Sequence, residues 1–268
     1  MILILNEKEL LRKSLEEGYI DEKKPSNTIR ILAKYYFSIE MNREQVYDSI
    51  HNFFSKNYKK YNNAKWQNTF DRITKNVYKD SKYELLDINS VKITENELNT
   101  IKNLDNIKYE KLAFVLLVYA KIYNQMNKTD SGWVNIEQKH IFSDAKIVIK
   151  VKDQGLALHI LEELGMINAS KMVNCTNIKV NYIDENSPIV FEVSDFRNYV
   201  YEYLRWKGEN VYRCKNKECN ILILPSNNRQ KYCKTCWKGI EKNNNRKYAR
   251  ESMRKIRGNR NVKGLEST

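Results

Sequence analysis

A mainly helical chain with small β elements, α+β in class, is what this sequence predicts, and three observations predict it. Apolar residues recur at helical spacing, punctuated by cap residues, across most of residues 6–126. Short runs of strand-forming residues are interspersed with helical patterns after residue 130. Two closely spaced cysteine pairs then precede a polar, basic stretch of helical pattern. A chain of 268 residues buries a sizeable core and is expected to hold more than one domain. The expected organisation is a helical domain over 1–80, a connector over 81–106, a second domain over 107–206, a cysteine module over 207–240 and a basic helix or tail over 241–268.

In the first domain Asn6 is placed to cap a helix ending near Gly18, and a second runs from about Asn27 to Glu40 after the Lys24-Pro25 break. A third begins at Asn42, with Gln45 in the capping-box position and Val46, Ile50, Phe53 and Phe54 on one face. A fourth follows Asn62-Asn63, with Trp66, Phe70 and Ile73 as its apolar stripe. At that spacing aromatics are core residues before they are base-stacking ones. The stretch NTIRILAKYYFSIEMNREQVYDSI resembles the small helical domains beside primase catalytic domains of mobile elements, but no catalytic motif accompanies it.

The connector holds one short helix, marked by the capping pair Thr94 and Glu97 before Leu98 and Ile101. A helix over about Lys108–Met126 is apolar nearly all round and is expected at the centre of its domain. Next come a strand over 132–136, a short helix over 137–147, a helix over about 152–164, a strand over 165–169, a turn over 172–176 and a strand over 177–183. That order, with GLALHILEELGMINAS reading as a recognition helix running into its wing, resembles a winged helix-turn-helix over residues 107–184. There Ile160, Leu161 and Leu164 are expected to pack inward and Gly165 to take the left-handed stop. The resemblance implies Lys152, Gln154 and His159 as contacts to base edges, with Lys171, Asn174 and Lys179 on the wing. Ordinary solvated surface is the plainer reading of any single one of these, and the same fold also serves as a protein-interaction module. A strand over 188–193 and a helix capped by Ser194 and running to Trp206 close the domain.

Cys214, Cys219, Cys233 and Cys236 form a C-x4-C-x13-C-x2-C array. Two short-spaced pairs can deliver four thiolates to a tetrahedral Zn²⁺ at about 2.3 Å. Between them, Ile221–Leu224 reads as a strand, Pro225–Asn228 as a turn and Lys231-Tyr232 as a return strand, the layout of a zinc ribbon. The expected cofactor is one structural zinc ion, since four cysteine ligands leave no open position for water; the rival reading is two disulfides or unrelated thiols. Cys175 is left over as a structural thiol.

The formal charge of +14 is concentrated at one end: residues 207–268 carry 17 Lys and Arg against 5 Asp and Glu, a net of +12. A near-neutral body with a concentrated basic end is the footprint of a polyanion binder. Lys238, Lys242, Arg246, Lys247, Arg250, Arg254, Arg257 and Arg260 are the expected phosphate contacts, with Ala249, Met253 and Ile256 on another side of the helix. A solvated or frayed tail is the plainer alternative. The segment YCKTCWKGIEKNNNRKYAR resembles the cysteine-pair-plus-basic-helix endings of uncharacterised phage and integrative-element proteins, matching at Tyr232, Cys233, Cys236, Arg246 and Arg250. That resemblance implies nucleic-acid binding without naming a pathway.

No Walker A loop, G-x-G-x-x-G or H-E-x-x-H motif is present, and His51, His140 and His159 lie far from the cysteines in sequence. The expectation is therefore a non-enzymatic, cytoplasmic, duplex-DNA-binding regulator or replication-initiation factor of a phage or mobile element, with DNA favoured over RNA and no membrane partner. The alternative is an interaction or inhibitor protein directed at a host ribonucleoprotein or polymerase complex. A cryptic nuclease or primase accessory needs no local motif and stays open.

Overall fold

The computed structural model describes residues 5–81, 83–170, 177–227 and 229–263, with side chains to residue 253. Mainly helical with small antiparallel sheets, it divides into two compact units, one comprising residues 2–91 and 121–132, the other residues 92–120 and 133–268 with residue 1.

The first unit holds α1 (Glu7–Glu17), α2 (Pro25–Ser38), α3 (Arg43–Asn57) and α4 (Asn63–Asp80). Their starts follow from local chemistry. Asn6 accepts from the Glu9 N–H at 2.7 Å, Asn42 and Gln45 form both halves of a capping box, and Asn62 accepts from the Lys65 N–H. Gly18 ends α1 at φ +65°. The aromatic stripes are core: Phe54 and Phe70 are fully buried with ring centroids 5.3 Å apart, and Trp66 and Tyr58 pack around them. A buried carboxylate went unread in the sequence. Glu7, wholly buried, takes Arg30 at 3.0 Å, Lys34 at 2.7 Å and the Leu86 N–H at 3.0 Å.

The second unit begins with β1 (Val91–Thr94), whose first residue belongs to the first unit, and α5 (Glu95–Lys102). Glu97 accepts from the Thr94 N–H at 2.9 Å, as its position in the capping pattern predicts, and also from the Asp184 N–H at 2.9 Å. Helix α6 (Ile107–Asn127) crosses the division between the units, and every residue from Leu112 to Ala120 is buried, as its all-round apolarity predicts.

There follow β2 (Trp133–Asn135), α7 (Gln138–Asp144), α8 (Val151–Glu163), β3 (Ile167–Ala169) and β4 (Asn177–Val180). The strands form one antiparallel sheet in the order β2-β4-β3, with Val134 opposite Ile178 and Ile167 opposite Val180. Gly165 takes φ +71° at the expected stop. Leu161 is buried as expected and Ile160 half-buried, but Leu164 is 55% exposed; Ala157 and Leu158 complete the inner face of α8. The inward stripe thus lies about one helical turn earlier than the sequence suggests.

Strand β5 (Ile189–Val193) pairs with β1, a partnership the connector's local pattern did not announce. Ser194 caps no helix. The Asp195 carboxylate takes both the Arg197 N–H at 2.9 Å and its guanidinium, building a turn through Asn198 at φ +53°, and α9 (Val200–Trp206) starts only after it. Tyr203 of α9 stacks on Phe114 at 5.4 Å and donates to the buried Glu110 at 2.7 Å, which also receives Lys207. Last come β6 (Tyr212–Arg213), β7 (Leu222–Ile223) and α10 (Lys234–Lys263).

Candidate metal centre and basic helix

The four cysteines of the array converge. Their Sγ atoms all lie within 4.8 Å of one another, none is in a disulfide, and Cys219 and Cys233 approach to 3.8 Å. A regular tetrahedron of thiolates about 2.3 Å from a metal has edges of about 3.8 Å. The group could hold one metal ion.

Local hydrogen bonding explains how the chain brings them there. Cys214 follows β6, and its N–H donates to the Ile221 carbonyl at 2.8 Å. Asn216 builds the first turn: its carbonyl accepts from the N–H groups of Cys219 and Asn220, and its side-chain oxygen from Glu218. Cys233 immediately precedes α10 and Cys236 stands in its first turn, where the Cys236 N–H donates to the Cys233 sulfur at 3.4 Å. The Cys233 N–H reaches the Cys214 sulfur at 3.3 Å and the Asn216 amide the Cys236 sulfur at 3.4 Å. Such N–H donors favour thiolate over thiol. The thiols also compete for protons. Burial raises the Cys233 thiol, but the hydrogen bonds from Cys236 and Cys219 outweigh it and the group sits below its usual range. The Asn216 amide alone would lower Cys236, yet burial and the three neighbouring sulfurs push it up to about 12. A cation at the centre of the four would relieve that conflict.

The return strand expected at Lys231-Tyr232 is absent: β7 pairs backwards with β6, in the register Tyr212 to Ile223 and Arg213 to Leu222. Lys231 instead gives one carbonyl to the Lys215 N–H at 3.0 Å. With one backbone bond in place of a ladder, the second cysteine pair is held by the start of a helix. The module is tied to the turn before α9, since the Asn198 amide donates to the Leu222 carbonyl at 3.0 Å and the Arg197 guanidinium to the Cys219 carbonyl at 2.9 Å.

Helix α10 therefore starts inside the cysteine cluster, not after it. Lys238, Lys242, Arg246, Lys247 and Arg250 are all exposed on it, as are Tyr248 and Met253, so no face of the stretch 241–253 is buried. The side chains of Arg254, Arg257 and Arg260 lie outside the described residues, as do Lys171, Asn174 and Cys175. On α8, Lys152 and His159 are exposed and Gln154 is half-buried; Lys179 is half-buried on β4 opposite Trp133. Helix α8 also carries Asp153, Glu162 and Glu163, and His159 lies 3.3 Å from Glu163, so its own charge balance is acidic. Arg197, Asn216, Arg229 and Trp237 went unmarked in the sequence; the one usable signal was a tryptophan directly after the second cysteine pair.

Comparison with known family models, curated proteins and solved structures finds no match to this chain. Among the described residues no helix is long and apolar enough to cross a membrane.

Proposed function

We propose that the protein is a zinc-containing nucleic-acid-binding protein, without catalytic activity of its own, that acts on duplex DNA as a regulator or replication-initiation factor of a phage or mobile element. The observation that carries this reading is that the basic helix begins within the four-cysteine cluster, so a metal held there would fix the root of a helix exposing Lys238, Lys242, Arg246, Lys247 and Arg250. Soft thiolate ligands in a closed tetrahedron suit zinc, and a filled coordination sphere suits a structural role. Each cation that neutralises a phosphate releases counterions, so binding should weaken steeply with salt. The order and pairing of α6, β2, α7, α8, β3 and β4 support a winged helix as a second contact surface. A reducing cytoplasm suits four free thiols.

A gel-shift series with random duplex, single strands and RNA across salt tests the reading. Deleting residues 238–268 should abolish duplex binding; undiminished binding after that deletion would sink the assignment. Native mass spectrometry should find one zinc per chain, lost in Cys233→Ser.

A second reading, an interaction protein aimed at a host ribonucleoprotein or polymerase, draws on a different observation. Val148, Val151, Leu156 and Leu164 stand exposed on and beside α8, next to its acidic residues. An apolar, acidic surface suits a protein partner better than a DNA groove.

A further inference from the structure

Beside the second cysteine pair lies an open cavity of about 580 Å³ lined by Arg229, Gln230, Lys231, Tyr232, Lys234 and Trp237 among others. Its size falls in the range of about 300–1,000 Å³ usual for small-ligand clefts. The loop is braced: the Gln230 side chain accepts from the Ser226 N–H at 2.9 Å and hydroxyl at 3.1 Å, and donates to the Tyr232 carbonyl at 3.3 Å. The Trp237 backbone is fixed by its N–H bond to the Cys233 carbonyl at 2.9 Å, while 55% of the residue's surface stays exposed.

Charge defines the kind of occupant. From Cys219 to Ile240 the chain has four Lys and Arg and no Asp or Glu. Among the described residues, Arg229, Lys231 and Lys234 have no carboxylate partner and are all exposed. An exposed indole ringed by unpaired cations on a braced loop matches a ligand with π faces and regularly spaced negative charge.

We propose that this cavity is a base-stacking site for single-stranded nucleic acid. An unpaired base lies on the Trp237 indole beside Tyr232, and Arg229, Lys231 and Lys234 neutralise the phosphates on either side. Base pairs inside a duplex offer no free face, so the site is specific for unpaired strands. The proposal rests on the nucleic-acid reading above and adds a site that helix α10 alone would not provide.

The test is fluorescence anisotropy with the full zinc-loaded chain and labelled oligo-dT, oligo-U and duplex of about 12 nucleotides, within the usual site size for single strands. Trp237→Ala should weaken single-strand binding roughly 5- to 150-fold, the loss of one base–aromatic stack, and leave duplex binding unchanged. Trp237→Phe should retain most of the affinity. Arg229→Ala should reduce the slope of log affinity against log salt by about 0.7. Zinc content by native mass spectrometry checks the fold; should Trp237→Ala lose metal, Trp237→Leu keeps the bulk without the π face and should show the same loss. The tighter of the dT and U arms identifies DNA or RNA as the source. Unchanged single-strand affinity in metal-loaded Trp237→Ala or Trp237→Leu overturns the site while leaving duplex binding through α10 standing. If the wild-type chain binds no strand at all, both readings fall.

Discussion

One nitrogen of the Arg197 guanidinium, Nη2, donates to the Cys219 carbonyl at 2.9 Å and to the Asp195 carboxylate at 2.8 Å. The turn that precedes α9 is thereby fastened to the first cysteine pair across 22 residues of chain. Asp195 holds the guanidinium through two nitrogens, so its rotamer is set where it meets the cysteine module. The geometry makes Arg197 a positioning residue for the cluster: it restrains the backbone of one candidate ligand, and its charge also acts on Cys219 and Cys233.

Arg197→Ala should therefore leave the four cysteines in place but loosen the cage. Metal transfer to a chromogenic chelator should accelerate roughly 10-fold, the lower end of what supporting contacts contribute at metal sites. Arg197→Lys, which keeps charge but not the planar fork, should fall between. An unchanged transfer rate in Arg197→Ala would show that the clamp is incidental.

Asp195 gives the same contact a pH signature. Burial raises its carboxyl, but the Arg197 side chain and N–H outweigh burial and hold it below the ordinary carboxylate range. With the folded pKa depressed, the stabilisation is complete above the unfolded value of about 4 and is lost as pH falls through the folded value. The stability gap between wild type and Asp195→Asn should be flat from neutral pH down to about 5 and close below about 4. Urea melts across that window would read it. Metal content read at each pH separates acid release of the metal from the titration of Asp195.

What was legible in the sequence was chemistry that acts over one turn. Asn6, Asn42 with Gln45, Asn62 and Glu97 behave as their spacing predicts, because a cap needs only its own next three residues. The cysteine tetrad was legible for a related reason, since ligand spacing is a local constraint on a tight turn. Pairing across distance was not. The β1–β5 pair, β7 turning back to β6 and the Arg197 clamp join segments whose local patterns carry no mark of the partner. Ser194 misled because a serine before an apolar stripe looks like a cap wherever it stands; the Asp195–Arg197 turn claimed the following residues first.

Glu7 illustrates the same limit and carries its own prediction. A glutamate in the first turn of a helix reads as solvated, yet its partners lie 23, 27 and 79 residues away. Glu7→Ala would leave Lys34, only 16% exposed, with the Glu84 carbonyl alone and the Leu86 N–H without an acceptor. Breaking one side of such a buried pair should cost about 3 kcal/mol. Denaturant melts monitored at the aromatic core of the first unit should show the loss. A cost below about 1 kcal/mol, the scale of an exposed pair, would mean that water replaces the carboxylate.

Helices α8 and α10 carry opposite charge balances, and a salt series separates what each would do on DNA. The exposed Arg246 and Arg250 can meet phosphates on any sequence, so replacing either with alanine should weaken duplex binding evenly across sequences and lower the log–log salt slope by about 0.9. Lys152 and Gln154 sit on a helix that also bears Asp153, Glu162 and Glu163, which repel phosphate. If α8 enters a groove, Lys152→Ala and Gln154→Ala should change the ranking of duplex sequences with little change in slope. A uniform loss in the α10 variants with no re-ranking in the α8 variants would assign DNA contact to the cysteine-rooted helix and leave the apolar, acidic α8 surface for a protein partner.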